Sequence, residues 1–173
     1  MKKRLFTGFC LITILFSARA QSIHTYTDTL NHFKLTYPDS EKPLLLGENE
    51  DPKAQVVPFA IGVYTEGSTG EKGKQTTASL IDSIKDDCYS QTKTGRTKHK
   101  MPFKMYTCTE GAMGKTYYNY IFKLDGIHCT ILLKFLNSSC NACEDENGKP
   151  AVYDEQKALK RIMAIVNSVK ITP

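Results

Sequence analysis

Alternation of apolar and polar side chains is the main pattern in the middle of the chain. Residues 115–124 and 127–136 both alternate, and the Asp125-Gly126 pair between them is typical of a two-residue β-turn. We therefore predict a β-hairpin in which Leu124 pairs with Ile127. The same alternation, or a short run of β-branched residues, predicts further strands. These cover residues 23–27, 33–37, 56–64 and 103–110.

The predicted hairpin register assigns every second side chain to one face of the sheet. One face is mostly apolar or aromatic and is predicted to be the core side; it holds Thr116, Tyr118, Tyr120, Phe122, Leu124, Ile127, Cys129, Ile131, Leu133 and Phe135. The other face is semi-polar and is predicted to be half covered. A four-residue turn at residues 111–114 would pair Glu110 with Lys115. That turn places Cys108 on the face opposite Cys129, in a position that does not allow a disulfide between them.

Two segments carry apolar residues at helical spacing. Residues 153–168 have the clearest stripe, and Asp154 and Glu155 favour a helix start there. Residues 76–91 are predicted as a second helix, and residues 169–171 as a short extended piece. Charge, glycine and proline content predicts loops in the remaining segments. These are residues 41–53, 65–74, 93–100 and 137–150.

Residues 1–20 have the organisation of a bacterial signal peptide. A Lys-Lys-Arg start precedes an apolar run that is too short to span a bilayer comfortably. Small residues then lead to a predicted cleavage point between Ala20 and Gln21. We expect export to the periplasm or the extracellular space, with no transmembrane segment once the signal is removed. Residues 21–173 are predicted to form a single α+β domain.

Cleavage of the signal peptide changes the charge balance of the protein. The precursor has 23 basic and 18 acidic residues and a net charge of +5, and the signal carries four of the basic residues and no acid. The mature chain therefore has a net charge of only about +1. A protein that reads nucleic acids usually has a strong basic excess, so the composition argues against nucleic acid as a partner.

Two groups of residues are candidates for contact with a partner. The basic run of Arg96, Lys98, His99 and Lys100 could hold an anionic surface such as a phosphate-bearing glycan, a lipid headgroup or an acidic protein. The second group is the semi-polar sheet face with Tyr117, whose ring is predicted to be exposed, and His128. A solvated loop is the simpler interpretation of the basic run.

An exported chain is expected to form disulfides. Five cysteines remain after cleavage, so one of them is unpaired or bonds to another chain. The candidates for disulfide formation are Cys140, Cys143, Cys88 and Cys129. Cys140 and Cys143 form a CxxC motif, for which we favour a structural bridge over a redox site because three carboxylates follow it and disfavour a thiolate. No metal site or cofactor is predicted, since the histidines are scattered and no second CxxC is present.

Short phrases at both ends of the domain carry a resemblance to a known fold family. Residues 33–38 read Phe-Lys-Leu-Thr-Tyr-Pro, similar to the F-x-hydrophobic-x-Y-P opening of the Mog1/PsbP-like families, and residues 168–171 resemble their terminal phrase. The chain departs from the pattern in having no tryptophan after the proline and in carrying a CxxC loop. The resemblance implies an antiparallel sheet flanked by helices, as an α/β/α sandwich, and a binding, assembly or accessory role. It carries over no catalytic residue.

These observations predict an exported, non-enzymatic binding or accessory protein of the bacterial envelope. Its partner would be an envelope protein, a glycan or another anionic surface. A periplasmic inhibitor or immunity protein is a second version of the binding role. The alternative from another class is a thiol-disulfide oxidoreductase that uses Cys140 and Cys143. No GxSxG elbow supports a hydrolase.

Overall fold

The structure, a computed structural model, describes residues 22–46, 57–65, 90–112, 114–140 and 153–173. Within this part of the chain there are nine strands and one α-helix. The strands are β1 (Ile23–Asp28), β2 (Phe33–Pro38), β3 (Leu44–Leu46), β4 (Phe59–Thr65), β5 (Ser90–Arg96), β6 (Pro102–Ala112), β7 (Lys115–Asp125), β8 (Cys129–Cys140) and β9 (Lys170–Ile171). The helix α1 covers Glu155–Ser168, and a short 3-10 turn covers Asp39–Glu41.

The strands form two sheets. A six-stranded sheet has the order β3-β4-β8-β7-β6-β5, and a three-stranded sheet has the order β1-β2-β9. All described pairings are antiparallel except β3 with β4, which is parallel. The chain is therefore an α+β protein, as the sequence predicts at that level.

The predicted β-hairpin of β7 and β8 is present, but its turn is longer than the sequence suggested. Leu124 pairs with Ile131, not with Ile127, and the last pair before the turn joins Asp125 to Thr130. The backbone N–H of Gly126 closes the turn by donating to the carbonyl of Cys129 at 2.8 Å. The register has moved by four residues, an even number, so the predicted faces are preserved for the residues that remain in the strands. Ile127 is the exception: it was predicted on the core face, but the longer turn leaves it 43% exposed.

The hairpin of β6 and β7 shows the same kind of difference. Ala112 pairs with Lys115, and Glu110 pairs with Tyr117 rather than with Lys115. This register has moved by two residues, again an even number. Cys108 and Cys129 consequently lie in separate clusters on the two faces of the sheet, which confirms that they do not bond to each other.

The main core fills the space between one face of the six-stranded sheet and the layer formed by β2 and α1. Phe59 and Phe135 stack at its centre with ring centroids 4.7 Å apart. The buried members also include Phe33, Leu35, Ile61, Phe103, Phe122, Leu124, Ile131, Leu133, Ile162, Ile165, Val166 and Val169. Burial of this apolar surface is the main source of the fold's stability.

The second face of the six-stranded sheet is more buried than the sequence predicted. Tyr106, Ile121 and Leu132 are each no more than 1% exposed there. Even the polar side chains of Thr130 and Lys134 on this face are 4% and 2% exposed. The expectation of a half-covered face is therefore wrong for the centre of the sheet.

Helix α1 ends at Ser168 as its sequence predicts and begins at Glu155, two residues after the predicted start. The side chain of Asp154 caps the helix by accepting the backbone N–H of Lys157 at 2.9 Å. Ser168 at the last turn is tied to β2, because its hydroxyl oxygen accepts the backbone N–H of Thr36 at 2.8 Å. The predicted extended piece after the helix is present as β9, which pairs with β2.

Two predicted loops contain regular structure instead. Residues 44–46, predicted as loop, form β3 because the parallel pairing with β4 satisfies their backbone groups. Of residues 93–100, the first four belong to β5, and only residues 97–100 form a turn. The predicted helix at residues 76–91 lies outside the described residues except for residues 90 and 91, which are in β5. No helix in the described part of the chain is long and apolar enough to cross a membrane.

Candidate functional site

Two neighbouring turns bring most of the predicted contact residues to one end of the six-stranded sheet. One turn, residues 97–100, joins β5 to β6, and the other, residues 126–128, joins β7 to β8. Phe103 pairs with Leu124, so both turns follow directly from the same end of the β6–β7 pair. Strands in a sheet are about 4.8 Å apart, which places the two turns on the order of 10 Å from each other.

The turn between β1 and β2, residues 29–32, lies at the same end. Asp28, at the end of β1, is close enough to Cys129 for its negative charge to affect the thiol. At the other end of β2, the ring of Tyr37 contacts Phe59 at 6.3 Å, which fixes the direction of the strand. We call the three turns, residues 29–32, 97–100 and 126–128, the basic end.

The basic end carries cationic side chains that are exposed to solvent. Arg96, Lys98 and Lys100 are all exposed and, among the described residues, form no ion pair with an acidic side chain. His99 and His128 are exposed beside them. The nearby acids are partly engaged: Asp125 pairs with Lys123 at 2.6 Å, and both oxygens of Asp28 accept hydrogen bonds from Asn31 at 2.9 Å. Counted over the described residues, the local charge at the basic end is therefore positive.

The turn at residues 97–100 is held in one conformation by Thr97, which is buried. Its hydroxyl oxygen accepts the backbone N–H groups of His99 and Met101, each at 3.2 Å. The guanidinium of Arg96 donates to the carbonyl oxygen of Lys100 at 3.0 Å. A basic turn fixed in this way loses little conformational entropy on binding a partner.

Each of the three turns contains a basic residue or a histidine in the left-handed backbone region. The φ angles are 53° for His32, 67° for Lys100 and 55° for His128. Glycine and asparagine fit this region best, and for most other residues it costs roughly 1 kcal/mol. The turn at the opposite end of β7 follows the ordinary rule, because Gly114 has a φ of 72° there. In the part of the chain that the structure describes, the non-glycine residues with positive φ therefore all lie at the basic end.

Two large apolar side chains extend from the same turns into solvent. Leu30 is 88% exposed between β1 and β2, and Ile127 is 43% exposed between β7 and β8. Neither residue was a candidate from the sequence. Leu30 is a single apolar residue within a polar segment, which was the available signal; Ile127 was expected in a strand.

Tyr117 does not lie with the other predicted contact residues. It pairs with Glu110 and Ser138, whereas Asp125 at the basic end pairs with Thr130. Tyr117 and Asp125 are eight positions apart along β7, a distance of about 26 Å. The sheet face that was predicted to join Tyr117 and His128 is therefore not one contact surface.

The other tyrosines of β7 hold the start of α1. The ring of Tyr118 stacks on Tyr153 with centroids 3.8 Å apart. The hydroxyl of Tyr120 lies 3.1 Å from that of Tyr153 and donates to Glu155 at 3.4 Å. Burial raises the pKa values of Tyr120 and Tyr153, so both phenols stay neutral. These contacts place the first turns of α1 at the end of the sheet opposite the basic end.

A pocket of about 290 Å³ lies between β2 and α1, away from the basic end. Its lining is mainly apolar and includes Ile23, Tyr37 and Ile165. Arg161 also lines it, but that guanidinium forms an ion pair with Glu41 and donates to Asn137 at 2.5 Å. The sequence did not indicate this pocket because its two walls come from segments more than 100 residues apart.

Among the cysteine candidates, only Cys129 has a described side chain. It is a free, buried thiol in the core cluster, which corrects its assignment as a disulfide candidate. The physical reason is its position on the core face among apolar side chains, whereas Cys108 lies on the other face of the sheet. Cys88 and Cys143 lie outside the described residues, as does the side chain of Cys140, so the bridge between Cys140 and Cys143 stays a prediction.

We expect Cys129 to react slowly with a thiol reagent in the native protein. Burial, and after it the charge of Asp28, raises the pKa of the thiol, which lowers the fraction of reactive thiolate at neutral pH. Mass spectrometry of peptides labelled at pH 7.5 should show modification of Cys129 only after unfolding. Labelling as fast as that of a free thiol amino acid would contradict the buried position.

Comparisons with known proteins add no assignment. No family model, no curated protein and no solved structure matches the chain. In the described part of the chain, no group of three or more His, Cys, Asp or Glu side chains could hold a metal ion. The basic end is therefore identified as the candidate functional site from its geometry alone.

Proposed function

We propose that the protein is an exported, non-enzymatic binding protein of the bacterial envelope that recognises an anionic component through its basic end. The observation that carries this proposal is the convergence of three turns at one end of the sheet. Together with the end of β5 they present His32, Arg96, Lys98, His99, Lys100 and His128. Cationic side chains that are exposed, unpaired and close together raise the local concentration of an anionic partner.

The left-handed residues support the same proposal. A strained backbone position that glycine would relieve is retained most readily where the side chain has a task. At the basic end three such positions carry His32, Lys100 and His128. In the proposed function the task of these side chains is contact with the anionic partner.

The resemblance to the Mog1/PsbP-like families fits this role. We propose that the complete domain is the α/β/α sandwich of those families, with α1 as one of its helical layers. Those families consist mostly of binding and accessory proteins, which agrees with a site made of turns and charges. The proposal includes cleavage after Ala20 and a periplasmic or extracellular location.

Replacing Lys98 with serine and Lys100 with glycine should weaken binding to an anion without destabilising the fold. Each lysine near an anionic surface contributes about 1 kcal/mol, so affinity for fluorescently labelled polyphosphate should fall roughly tenfold or more at an ionic strength of about 0.1 M. Lys100→Gly relieves the left-handed strain, so the free energy of unfolding should not decrease. Fluorescence anisotropy gives the affinity, and urea denaturation gives the stability.

The matched control is the Lys157→Ser, Lys160→Ser variant. These two lysines are exposed in the first turns of α1, at the opposite end of the sheet, and their replacement changes the net charge by the same amount. Affinity should stay within about twofold of the wild type, because charges beyond a Debye length of about 10 Å are screened. An equal loss in both variants would mean that net charge, and not the basic end, attracts the anion, and the proposal would be wrong.

A further inference from the structure

We infer that the anionic component is a lipid surface, and that Leu30 and Ile127 enter it between the headgroups while the basic side chains contact the phosphates. This inference rests on the proposed function and specifies its partner. It is carried by the position of the two apolar side chains, which the charges alone do not explain.

The two apolar residues are unlike other exposed apolar residues in the described part of the chain. Leu30 is the most exposed of them, at 88%, and it lies at the tip of a turn rather than beside a pocket or along a strand edge. Ile127 occupies the corresponding tip of the turn between β7 and β8. Both tips belong to the basic end, so the two apolar side chains lie at the same end of the molecule as the exposed cations.

The turns that carry the tips are fixed by hydrogen bonds. Asp28 holds the turn of Leu30 through Asn31, and the backbone N–H of Thr172 donates to the carbonyl of His32 at 2.8 Å. The Gly126 to Cys129 hydrogen bond fixes the turn of Ile127. Side chains presented in this way need no rearrangement of the backbone to enter a surface.

A bilayer with anionic headgroups has an outer layer that suits the basic side chains and an apolar layer beneath it that suits Leu30 and Ile127. Its outermost layer carries phosphates that attract lysine and arginine, and the acyl boundary lies about 5–10 Å below. An apolar side chain flanked by cations can reach that boundary while the cations stay with the phosphates. A soluble anion such as polyphosphate has charge but no apolar layer, so it would engage the cations and leave Leu30 and Ile127 in water.

The absence of tryptophan from the chain makes insertion directly measurable. Leu30→Trp introduces a single tryptophan at an exposed position. Its emission should shift to shorter wavelength by about 10 nm or more with vesicles of phosphatidylglycerol and phosphatidylcholine, and lipids brominated near the headgroup end of the chain should quench it. Polyphosphate should produce neither effect. The control Ile23→Trp, at the far end of β1, should show no shift with the same vesicles.

A second variant tests affinity without a probe. Leu30→Ser with Ile127→Ser should lower binding to the anionic vesicles about tenfold or more in a sedimentation assay and leave affinity for polyphosphate unchanged. The control Ile23→Ser with Leu45→Ser removes two other exposed apolar side chains and should bind vesicles like the wild type. Vesicles of phosphatidylcholine alone should bind none of the proteins measurably.

The outcomes separate this inference from the proposed function. Binding of polyphosphate without binding of vesicles, or equal vesicle binding by the wild type and the Leu30→Ser, Ile127→Ser variant, would overturn the lipid inference and leave the proposed function standing. A blue shift of Leu30→Trp with loss of vesicle binding in the serine variant would support the inference. Failure to bind both polyphosphate and vesicles would overturn both.

Discussion

Replacing Phe122 with alanine is expected to lower the free energy of unfolding by about 3 to 5 kcal/mol. The side chain is completely buried in β7, between the partner strands β6 and β8. Its ring lies 5.6 Å from that of Phe103 and 6.0 Å from that of Phe135, the latter nearly at a right angle. Truncation removes these contacts and leaves a cavity that the paired strands on both sides cannot close.

Urea denaturation of the wild type and three variants measures this effect. Phe122→Leu keeps much of the volume and should cost only about 1 kcal/mol. Leu30→Ala, at an 88% exposed position, should change stability by less than about 0.5 kcal/mol. A Phe122→Ala loss as small as that of Leu30→Ala would mean that the aromatic cluster around β7 and β8 is not the core. Because the fold itself is expected to be stable by only about 5–15 kcal/mol, the variant loses a large share of it.

The faces of the central strands could be predicted from sequence, but their registers could not. Alternation of apolar residues states which side chains share a face and is insensitive to a shift of two or four residues. The register is set by contacts that alternation does not contain. In β8, Phe135 stacks on Phe59 of β4 while pairing with Tyr120 of β7, so neighbours on both sides select the pairing. The Asp125-Gly126 pair is a local preference that these contacts outweigh.

The short strand β3 was missed for a related reason. Residues 44–46 lie in a segment rich in charge, glycine and proline, and a three-residue strand has little pattern of its own. Parallel pairing with β4 creates it, and the local sequence of residues 44–46 does not indicate that partner. The strong helical stripe of α1, in contrast, spans four turns; its end was predicted, and its start was predicted to within two residues.

The candidate site could be predicted residue by residue but not as a site. The basic run was visible in the sequence, as was His128, and both were singled out. Their proximity depends on the strand order, which brings turns at residues 29–32, 97–100 and 126–128 to the same end. The strain at His32 and Lys100 is a backbone property that the sequence does not display. Tyr117 was grouped with His128 because both were assigned to one face of the sheet. Alternation does not show how far apart two residues on the same face lie along the strands.

The buried core around Phe122 and the strained turns of the basic end differ in what a substitution does. Around Phe122 every contact favours the folded state, so substitutions there should act on stability alone. At the basic end, left-handed lysine and histidine and exposed leucine cost stability or solubility. The proposed function therefore predicts that substitutions at the basic end separate binding from stability, which substitutions in the core cannot do.

Replacing Arg161 with leucine is expected to lower the free energy of unfolding by about 3 kcal/mol at pH 7, the lower end of the range for breaking a buried ion pair. Its partner Glu41 is only 3% exposed and is held in the short 3-10 turn after β2, while Arg161 is itself 43% exposed on α1. Among the described residues, the second carboxylate oxygen of Glu41 has no hydrogen-bond partner. Removal of Arg161 would therefore leave a buried charge without its counterion.

The double variant Glu41→Leu with Arg161→Leu shows whether the loss comes from that charge. Replacement of both partners by apolar side chains is often neutral, so the double variant should be more stable than Arg161→Leu alone and close to the wild type. Chemical denaturation of the four proteins in this cycle gives the coupling energy. A double variant as unstable as the single one would show that packing of the arginine side chain, and not charge, is responsible.

The pH dependence of the single variant provides an independent readout. Without Arg161, burial should raise the pKa of Glu41 in the folded state above the ordinary value of about 4.3. A raised pKa means that the folded state binds the proton more tightly than the unfolded state, so stability from this group is present at low pH and is lost as pH rises through the raised pKa. The deficit of Arg161→Leu relative to the double variant should therefore be largest at pH 7 and should shrink toward pH 4. A deficit that stays constant over this range would contradict an unpaired carboxylate as its cause.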